Sequence, residues 1–416
     1  MSIKKIGLKN FKCFEEVEID FSKITLLTGA NSSGKSSLLY GLLAAFQSKD
    51  FPFYLSLNGK YVNMGDFEEV AFQHGREHLI GLNMTVNNIV IETCWGLELT
   101  HNMPKLRSLK IAEVVKNAYY LEILPDQETY VVKYKIIRNN EPISEQHSFK
   151  TIDDFLKIID EHNKYETGDA EESLERTVWK MLTDAIKRSL DKIDKNLNFF
   201  GSFRLQPERT YYQKAKAEDR VGQSGEGYIE QIVEWDRYKS EKLEQLLSML
   251  RSLRLLDGLQ TKQLPGGRFE LSVKVSDQGV WASLADVGFG VSQLLPMIVA
   301  DLQLSEHSTL LLAQPEIHLH PSIQASLADY FIKQTKTHSK HYIVETHSEY
   351  LLNRIRLAIV KGELEPADAA VYYFENSLAG TVTHKIEFTK DGQIKNAPQG
   401  FFETYMMDVM DIALHA

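Results

Sequence analysis

The run Gly29-Ala30-Asn31-Ser32-Ser33-Gly34-Lys35-Ser36 constrains this chain more than any other feature. It fits G-x-x-x-x-G-K-[ST], and it lies between a short apolar run, Ile24–Thr28, and a segment with Leu38, Leu39, Leu42, Leu43 and Phe46 at helical spacing. Glycines let the backbone curl so that successive N–H groups face one concavity. A helix opening near Lys35 adds the positive end of its dipole, so strand, turn and helix predict a cradle for a polyphosphate. In that cradle Lys35 reaches the β- and γ-phosphates of a nucleoside triphosphate and the Ser36 hydroxyl holds Mg2+. Gly29, Asn31, Ser32, Ser33, Gly34 and Ser37 are the neighbouring candidate contacts.

The remainder of the chain must supply a body for this loop. Its 416 residues allow two to three domains, and 43% hydrophobic with 25% charged residues is ordinary for a globular protein, which excludes disorder as the main theme. A net charge of −10 argues against a globally basic nucleic-acid binder while leaving room for a local basic patch. Cys13 and Cys94 are too few for a disulfide framework or a four-thiolate zinc site and fit a reducing compartment. No apolar run approaches the ~18–20 residues that span a membrane. The opening MSIKKIGLKNFKCF has neither the apolar stretch nor the cleavage site of a signal peptide, so the expectation is a cytoplasmic protein without a membrane partner.

Along the chain, Ile3–Lys9, Val17–Ile19 and Ile24–Thr28 read as strands and Lys35–Gln47 as a helix. Strand-like runs follow at Ile80–Met84, Ile89–Trp95 and Tyr130–Ile137; residues 151–195 read as charged helix, and 226–257 as one long helix. From 268 onward the elements alternate: strand Phe269–Val275, helix from about Ser292, strand Thr309–Leu312, helix after Pro321, strand His341–Glu345, helix from Ser348. Such alternation predicts a parallel α/β sheet, with the middle of the chain inserted between two halves of one core.

Asp286-Val287-Gly288-Phe289-Gly290-Val291-Ser292-Gln293 puts two glycines and a serine at a helix start, a second candidate anion site. Downstream, one buried strand runs into Ala313-Gln314-Pro315-Glu316 and another into Thr346-His347-Ser348. This order resembles the ABC-type ATPase heads of the SMC- and RecF-like group and, more closely, the OLD-like ATPases of bacterial anti-phage systems. The similar residues are Ile6–Phe14, the loop GANSSGKS, Asp286–Gln293, Gln314–Pro321 and Glu345–Glu349. Pro207-Glu208-Arg209, Val221–Glu226, Asp391–Ile394 and Pro398–Phe402 are similar to one subgroup, whose C-terminal module has no established role. Residues 79–200 hardly take part.

The resemblance implies an α/β fold, an ABC-type P-loop NTPase head with a mixed sheet and a mainly helical insertion lobe. Residues 1–100 and 266–390 would be the halves of the head, 101–265 the lobe, strands then helices, and 391–416 a small C-terminal module. It further implies a composite ATP site, with Lys12 and Phe14 near the nucleotide. Gly288, Gly290, Ser292 and Gln293 of one subunit would cap the γ-phosphate held by the Lys35 of another, and His347 would sense that phosphate. The glutamine joining Mg2+ to the insertion has two candidates, Gln47 and Gln73, of which Gln73 is carried beside Ser36 as the metal set. His318 and His320 next to Glu316 suggest either a metal site or a subunit-contact loop.

One feature departs from the pattern. The strand before Pro315 should end in a glutamate followed by a glutamine, and here it ends Ala313-Gln314. A methyl group neither holds a Mg2+ water nor accepts a proton. Three readings stay open: an engineered glutamate-to-alanine change that traps ATP, a natural hydrolysis-dead switch, or an acid displaced to Glu316 or Glu345. All keep ATP binding, and the first two impair hydrolysis.

The expected role is a switch or sensor ATPase that forms a homodimer or higher oligomer around ATP and controls a separate effector, a nuclease or toxin. The alternatives are a RecF- or SMC-like repair ATPase that clamps DNA directly, and a non-hydrolysing ATP-dependent scaffold. Arg204, Arg209, Lys214, Lys216 and Arg220, with Tyr211 and Tyr212, form the local stretch that could contact nucleic acid or the phosphates of nucleotide, or else a solvated face.

Overall fold

In a computed structural model the expected strand–turn–helix is formed, with strand Ile24–Gly29 and helix Lys35–Gln47. The structure describes residues 3–49, 51–100, 102–113, 119–138, 141–155, 157, 196–212, 217–398, 401 and 414. The chain divides into two compact units. The first comprises Met1–Phe21, Ser36–Leu197 and Ser377–Thr381, the second Ser22–Lys35, Asn198–Asn376 and Val382–Ala416.

The first unit is built on an eight-stranded sheet in the order β2-β1-β4-β5-β6-β7-β8-β9. Strands β1 (Ile3–Phe11), β2 (Phe14–Asp20), β4 (Ile80–Val86) and β5 (Ile89–Glu98) pair antiparallel. The ladder continues antiparallel through β6 (Met103–Glu113), β7 (Tyr119–Asp126), β8 (Thr129–Arg138) and β9 (Glu141–Phe149). Ile6, Leu8, Leu82 and Ile91 alternate inward, as a half-buried sheet requires. Helix α1 (Lys35–Gln47) lies close on β1: a Cβ at Gly41 would come within 2.8 Å of the Leu8 side chain. A short helix, α2 (Phe67–Val70), is closed by a capping box between Asp66 and Glu69.

The second unit carries a seven-stranded mixed sheet, β10-β15-β16-β3-β17-β18-β19. Its centre is parallel: β15 (Thr309–Ala313), β16 (His341–Glu345), β3 (Ile24–Gly29) and β17 (Ala369–Ser377). β10 (Leu197–Phe200) is one edge, and β18 (Gly380–Phe388) pairs antiparallel with β19 (Ile394–Lys395) at the other. A smaller sheet joins β11 (Tyr211–Tyr212), β13 (Arg268–Lys274), β12 (Gly258–Leu264) and β14 (Trp281–Ser283).

Among the described residues five α-helices complete the second unit: α3 (Tyr228–Arg237), α4 (Glu241–Ser252), α5 (Phe289–Gln303), α6 (Pro321–His338) and α7 (Glu349–Val360). Along α5, Leu294, Leu295, Met297, Ile298, Val299 and Ala300 have no exposed surface, the signature of a helix buried on all sides.

Two expectations need correction. The single helix over 226–257 is two helices, because Lys239 turns into the left-handed region (φ 48°) and Ser240 caps a new start by accepting the Lys242 N–H. The lobe at 101–265, expected to be mainly helical, is mainly strand among its described residues. Its strands between 103 and 149 extend the first unit's sheet because they alternate with period two. Of the helical reading of 151–195, residues 152–155 and 157 are helical and 158–195 lie outside the described residues.

A buried polar knot holds α5 to the parallel sheet. Asp301, with no exposed surface, accepts from the Tyr330 hydroxyl of α6 and from the Tyr342 hydroxyl of β16 at 3.1 Å, and pairs with Lys340 at 3.2 Å. Burial, then the Asp301 charge, pushes both phenols well above their ordinary range. Breaking such a set by removing one member leaves an uncompensated charge. Asp301→Ala is expected to cost about 3–5 kcal/mol in urea unfolding, and a loss near zero would show that the knot is not cooperative.

Candidate functional site

In the second unit, parallel pairing aligns Ala313 with Glu345 and Glu345 with Leu27, and Phe374 pairs with Gly29. The carboxyl ends of β15, β16, β3 and β17 therefore share one edge, where ligand sites of open α/β sheets form. The loop leaves this edge at Gly29, whose φ is 135°; a Cβ there would meet the Phe374 carbonyl oxygen at 2.2 Å, so only glycine fits. Gly34 also has positive φ (97°), and Ser32 sits at 59°. Asn31 and Ser32 are exposed, whereas Ser33 is buried and its hydroxyl lacks a partner. Ser36 and Ser37 lie in the first turn of α1, which carries no acidic residue to offset the positive end of its dipole.

Lys35 is buried, and its amine donates back to the loop's own carbonyls, Gly29 O at 3.0 Å and Ala30 O at 2.7 Å. Burial pulls its pKa down, and Glu345 at the end of β16 opposes that pull. Glu345 is itself buried, and Gln314, with φ 46°, donates its N–H to the Glu345 carbonyl at 2.7 Å. His347 follows β16. Burial, then the Lys35 charge, moves its imidazole below the ordinary range, which favours the neutral ring. Its N–H donates to a Glu316 carboxylate oxygen at 2.7 Å. Glu316 is buried with its other oxygen unpartnered, and burial raises its pKa against the pull of the His347 N–H and the more distant Arg204. The next helix start is firmly made: the Ser348 hydroxyl caps α7 through the Leu351 N–H and donates to Gln324 at 2.6 Å.

The second glycine-rich segment opens α5 with Gly288 at the cap and no side-chain capping bond. Gly288 is exposed and a Cβ there would touch nothing; at Gly290 it would meet Leu319 at an ordinary 3.4 Å. Ser292 and Gln293 are buried in the first turns of the helix. Asp286 receives both guanidinium arms of Arg209, at 2.6 and 2.9 Å.

The second unit thus brings together Gly29–Lys35, Ala313, Gln314, His347 and Gln293, joined by Glu345 and Glu316. Lys12, Phe14, Ser36, Ser37 and Gln73 belong to the first unit. There Lys12 takes a left-handed turn (φ 50°) with its N–H on the Val70 carbonyl, and Phe14 is fully buried opposite Phe11. Gln73 is exposed at φ 52°. Gln47 donates to the Ser56 and Val62 carbonyls and accepts from the Tyr61 and Val62 N–H groups, so its amide pins a loop and keeps no acceptor for a cation. His320 caps α6 through Ser322, and among the described residues no group of three metal-ligating side chains occurs.

Arg204, on the stretch expected to contact nucleic acid or nucleotide phosphates or else to lie solvated, is half-buried and reaches Gln293, Ala313 and Gln314. Its position directly after the apolar β10 and the turn that follows is the only signal that could have shown this. Lys214 and Lys216 of the same stretch lie outside the described residues.

Residues 1–352 match the family model described as AAA ATPase domain (AAA_15), and the chain belongs to that family. Its fold is a P-loop ATPase fold, mixed α/β with several sheets, and the family implies nucleotide binding. Residues 364–412 match a model described only as a protein of unknown function (DUF3696). No curated protein matches. Similar solved structures include an SMC head bound to the C-terminal winged-helix domain of ScpA, at 14% identity and TM-score 0.44, covering 93% of this chain and 98% of that one. Others are an SMC head domain from Thermotoga maritima (13%, 0.40, covering 92% and 98%) and an Smc head with an extended coiled coil bound to the C-terminal domain of ScpA, derived from Pyrococcus furiosus (12%, 0.40, covering 99% and 98%). Among the described residues no helix is long and apolar enough to cross a membrane.

Because both burial and the Lys35 charge disfavour the imidazolium, Lys35→Met is expected to raise the His347 pKa while leaving it below its ordinary value. Proton NMR titration of the ring reads this directly, and an unchanged midpoint would place the lysine charge elsewhere.

Proposed function

We propose that this chain is an ATP-binding switch of an anti-phage defence system, in which two copies close around ATP and the assembled form controls a separate effector, a nuclease or toxin. Residues 1–100 and 266–390 act as the ATPase head, 101–265 as the lobe that transmits its state, and 391–416 as a C-terminal module. The protein works in the cytoplasm.

The loop suits a triphosphate. The unpartnered Ser33 hydroxyl, the positive-φ glycines and the dipole of α1 suit an anion, and among the described residues Lys35 has its own loop's carbonyls to give up. Ser36 would hold Mg2+, which neutralises charge on the phosphates, with Gln73 as second ligand. Lys12 and Phe14 would border the nucleotide. Gly288 supports the two-copy arrangement, since among the described residues none would meet a Cβ there and a bare backbone allows close approach by a ligand. Gly288, Gly290, Ser292 and Gln293 would cover the partner copy's γ-phosphate, and His347 would report it.

The observation that carries the switch reading is the end of β15. Ala313 stands in register with Glu345, at the edge where Lys35 sits, and offers no group to hold a Mg2+ water or take a proton from the attacking one. ATP therefore binds and persists. Ala313→Glu is expected to raise ATP turnover by about two orders of magnitude or more, by analogy with restoring a catalytic base. Lys35→Ala abolishes both nucleotide binding and the ATP-dependent increase in mass. Equal turnover by the chain and its Ala313→Glu variant would refute the assignment. A non-hydrolysing scaffold shares the Ala313 observation and is separated by function in cells, which Ala313→Glu would then leave unchanged. Of the three arginines that suggested direct DNA clamping, Arg204 is turned inward and Arg209 is paired with Asp286.

A further inference from the structure

Arg204 spans more of the nucleotide edge than any residue the sequence pointed to. One guanidinium nitrogen donates to the Gln293 side-chain oxygen of α5 at 3.1 Å, and the other to the Ala313 and Gln314 carbonyls at the end of β15, at 3.4 and 3.3 Å. The group lies 5.2 Å from the centre of the Phe200 ring, and its own loop is anchored by the Gly201 and Leu205 N–H groups on the Gln223 and Ser224 carbonyls at 2.8 and 2.9 Å. Burial lowers its pKa to about 10, with Glu316 as the opposing charge. The cation remains charged at neutral pH. Glu316 in turn holds the His347 backbone, so the arginine and its counter-charge together touch the tip of α5, the end of β15 and the start of the segment carrying the histidine.

We propose that Arg204 is a positioning residue of the ATPase site, fixing the tip of α5 against the end of β15 so that the glycine–serine tip and position 313 move as one piece. The idea rests on the ATP-switch reading. A planar fork with donors on two sides can bridge a side-chain amide and two carbonyls at once, whereas a lysine ammonium at the end of a flexible stem cannot hold both sides in fixed geometry. The arginine acts through the elements it ties, and its loss misplaces the tip without touching the Lys35 cradle.

The test uses the full chain in the Ala313→Glu background, with Arg204→Lys, Gln293→Leu and the double variant, measuring kcat, KM for ATP, binding of a fluorescent ATP analogue and thermal midpoint. Arg204→Lys is expected to lower kcat about 100-fold, the usual penalty for a misplacement of about 1 Å, while KM and analogue binding stay within about threefold. Gln293→Leu should reproduce most of that loss, and the double variant should be no worse than the stronger single one, since both remove one tie. Fully additive losses, or a fall in thermal midpoint with kcat unchanged, would make Arg204 merely structural and overturn the proposal. If the Ala313→Glu parent neither turns over nor assembles with ATP, the switch reading itself fails and the proposal falls with it; if the parent works and Arg204→Lys matches it, only the proposal fails.

Discussion

Parallel pairing of β15, β16 and β3 governs what this chain can do at its phosphate loop. Three buried runs, Leu310–Leu312, Tyr342–Val344 and Ile24–Leu27, lie side by side in the second unit, and each must keep its apolar residues inside. Each run is buried on both faces, as a parallel sheet covered on both sides requires, and the observed pairing sets Ala313 beside Glu345 and Glu345 beside Leu27. With the register fixed, every chain exit falls on one edge. Gly29, Ala313 and Glu345 become neighbours although nearly three hundred residues separate the first from the other two.

The consequence is electrostatic. That edge removes groups from water, and each compensates differently. Lys35 keeps its charge by donating to two carbonyls and facing Glu345. Burial and then the Lys35 charge lower the His347 pKa, and burial raises that of Glu316 against the pull of a backbone N–H and the Arg204 charge. A glutamate at 313 would enter this set beside Glu345, since adjacent strands lie about 4.8 Å apart. Two carboxylates that close cannot both ionise freely, and one pKa would rise. Such a raised acid is what a general base near neutrality needs. With alanine at 313 there is no second carboxylate, and Glu345 is left as the counter-charge to the lysine.

How far the sequence revealed this depended on the range of the forces involved. The loop and α1 were legible to the residue, Lys35 to Gln47, because the glycine-rich turn and apolar spacing are local signals. The alternation from Thr309 to Val360 was equally legible, since buried strands and capped helices announce themselves at Pro321 and Ser348. The break at Lys239 was hidden because neither Lys nor Ser forbids a helix, and only the cap made by Ser240 with tertiary packing decides for two. The sheet of the first unit was undercounted because Met103–Glu113 mixes charges with apolar residues, and its pairing with β5 includes a register shift at Cys94/Trp95. The inward turn of Arg204 was hidden because basic residues clustered in sequence suggest one surface, whereas a turn can send neighbours to opposite environments. Leu205 beside it is exposed and Arg204 is not.

The glycines separate what folding needs from what it leaves free. At Gly29 a side chain would strike the Phe374 carbonyl, so stability alone explains the residue. At Gly288 the backbone has an ordinary φ of −58°, the position is exposed, and a side chain would meet empty space. Glycine is entropically costly in the unfolded-to-folded balance, and a position that gains nothing from it inside the molecule is better explained by a demand from outside. A helix tip without a side-chain cap makes the same point in hydrogen bonds, since its first N–H groups must find acceptors elsewhere. Water can meet the second demand but gives no reason for the first. In the proposed two-copy arrangement an anion brought up by another copy would meet both, at a tip whose Gln293 accepts a hydrogen bond from Arg204.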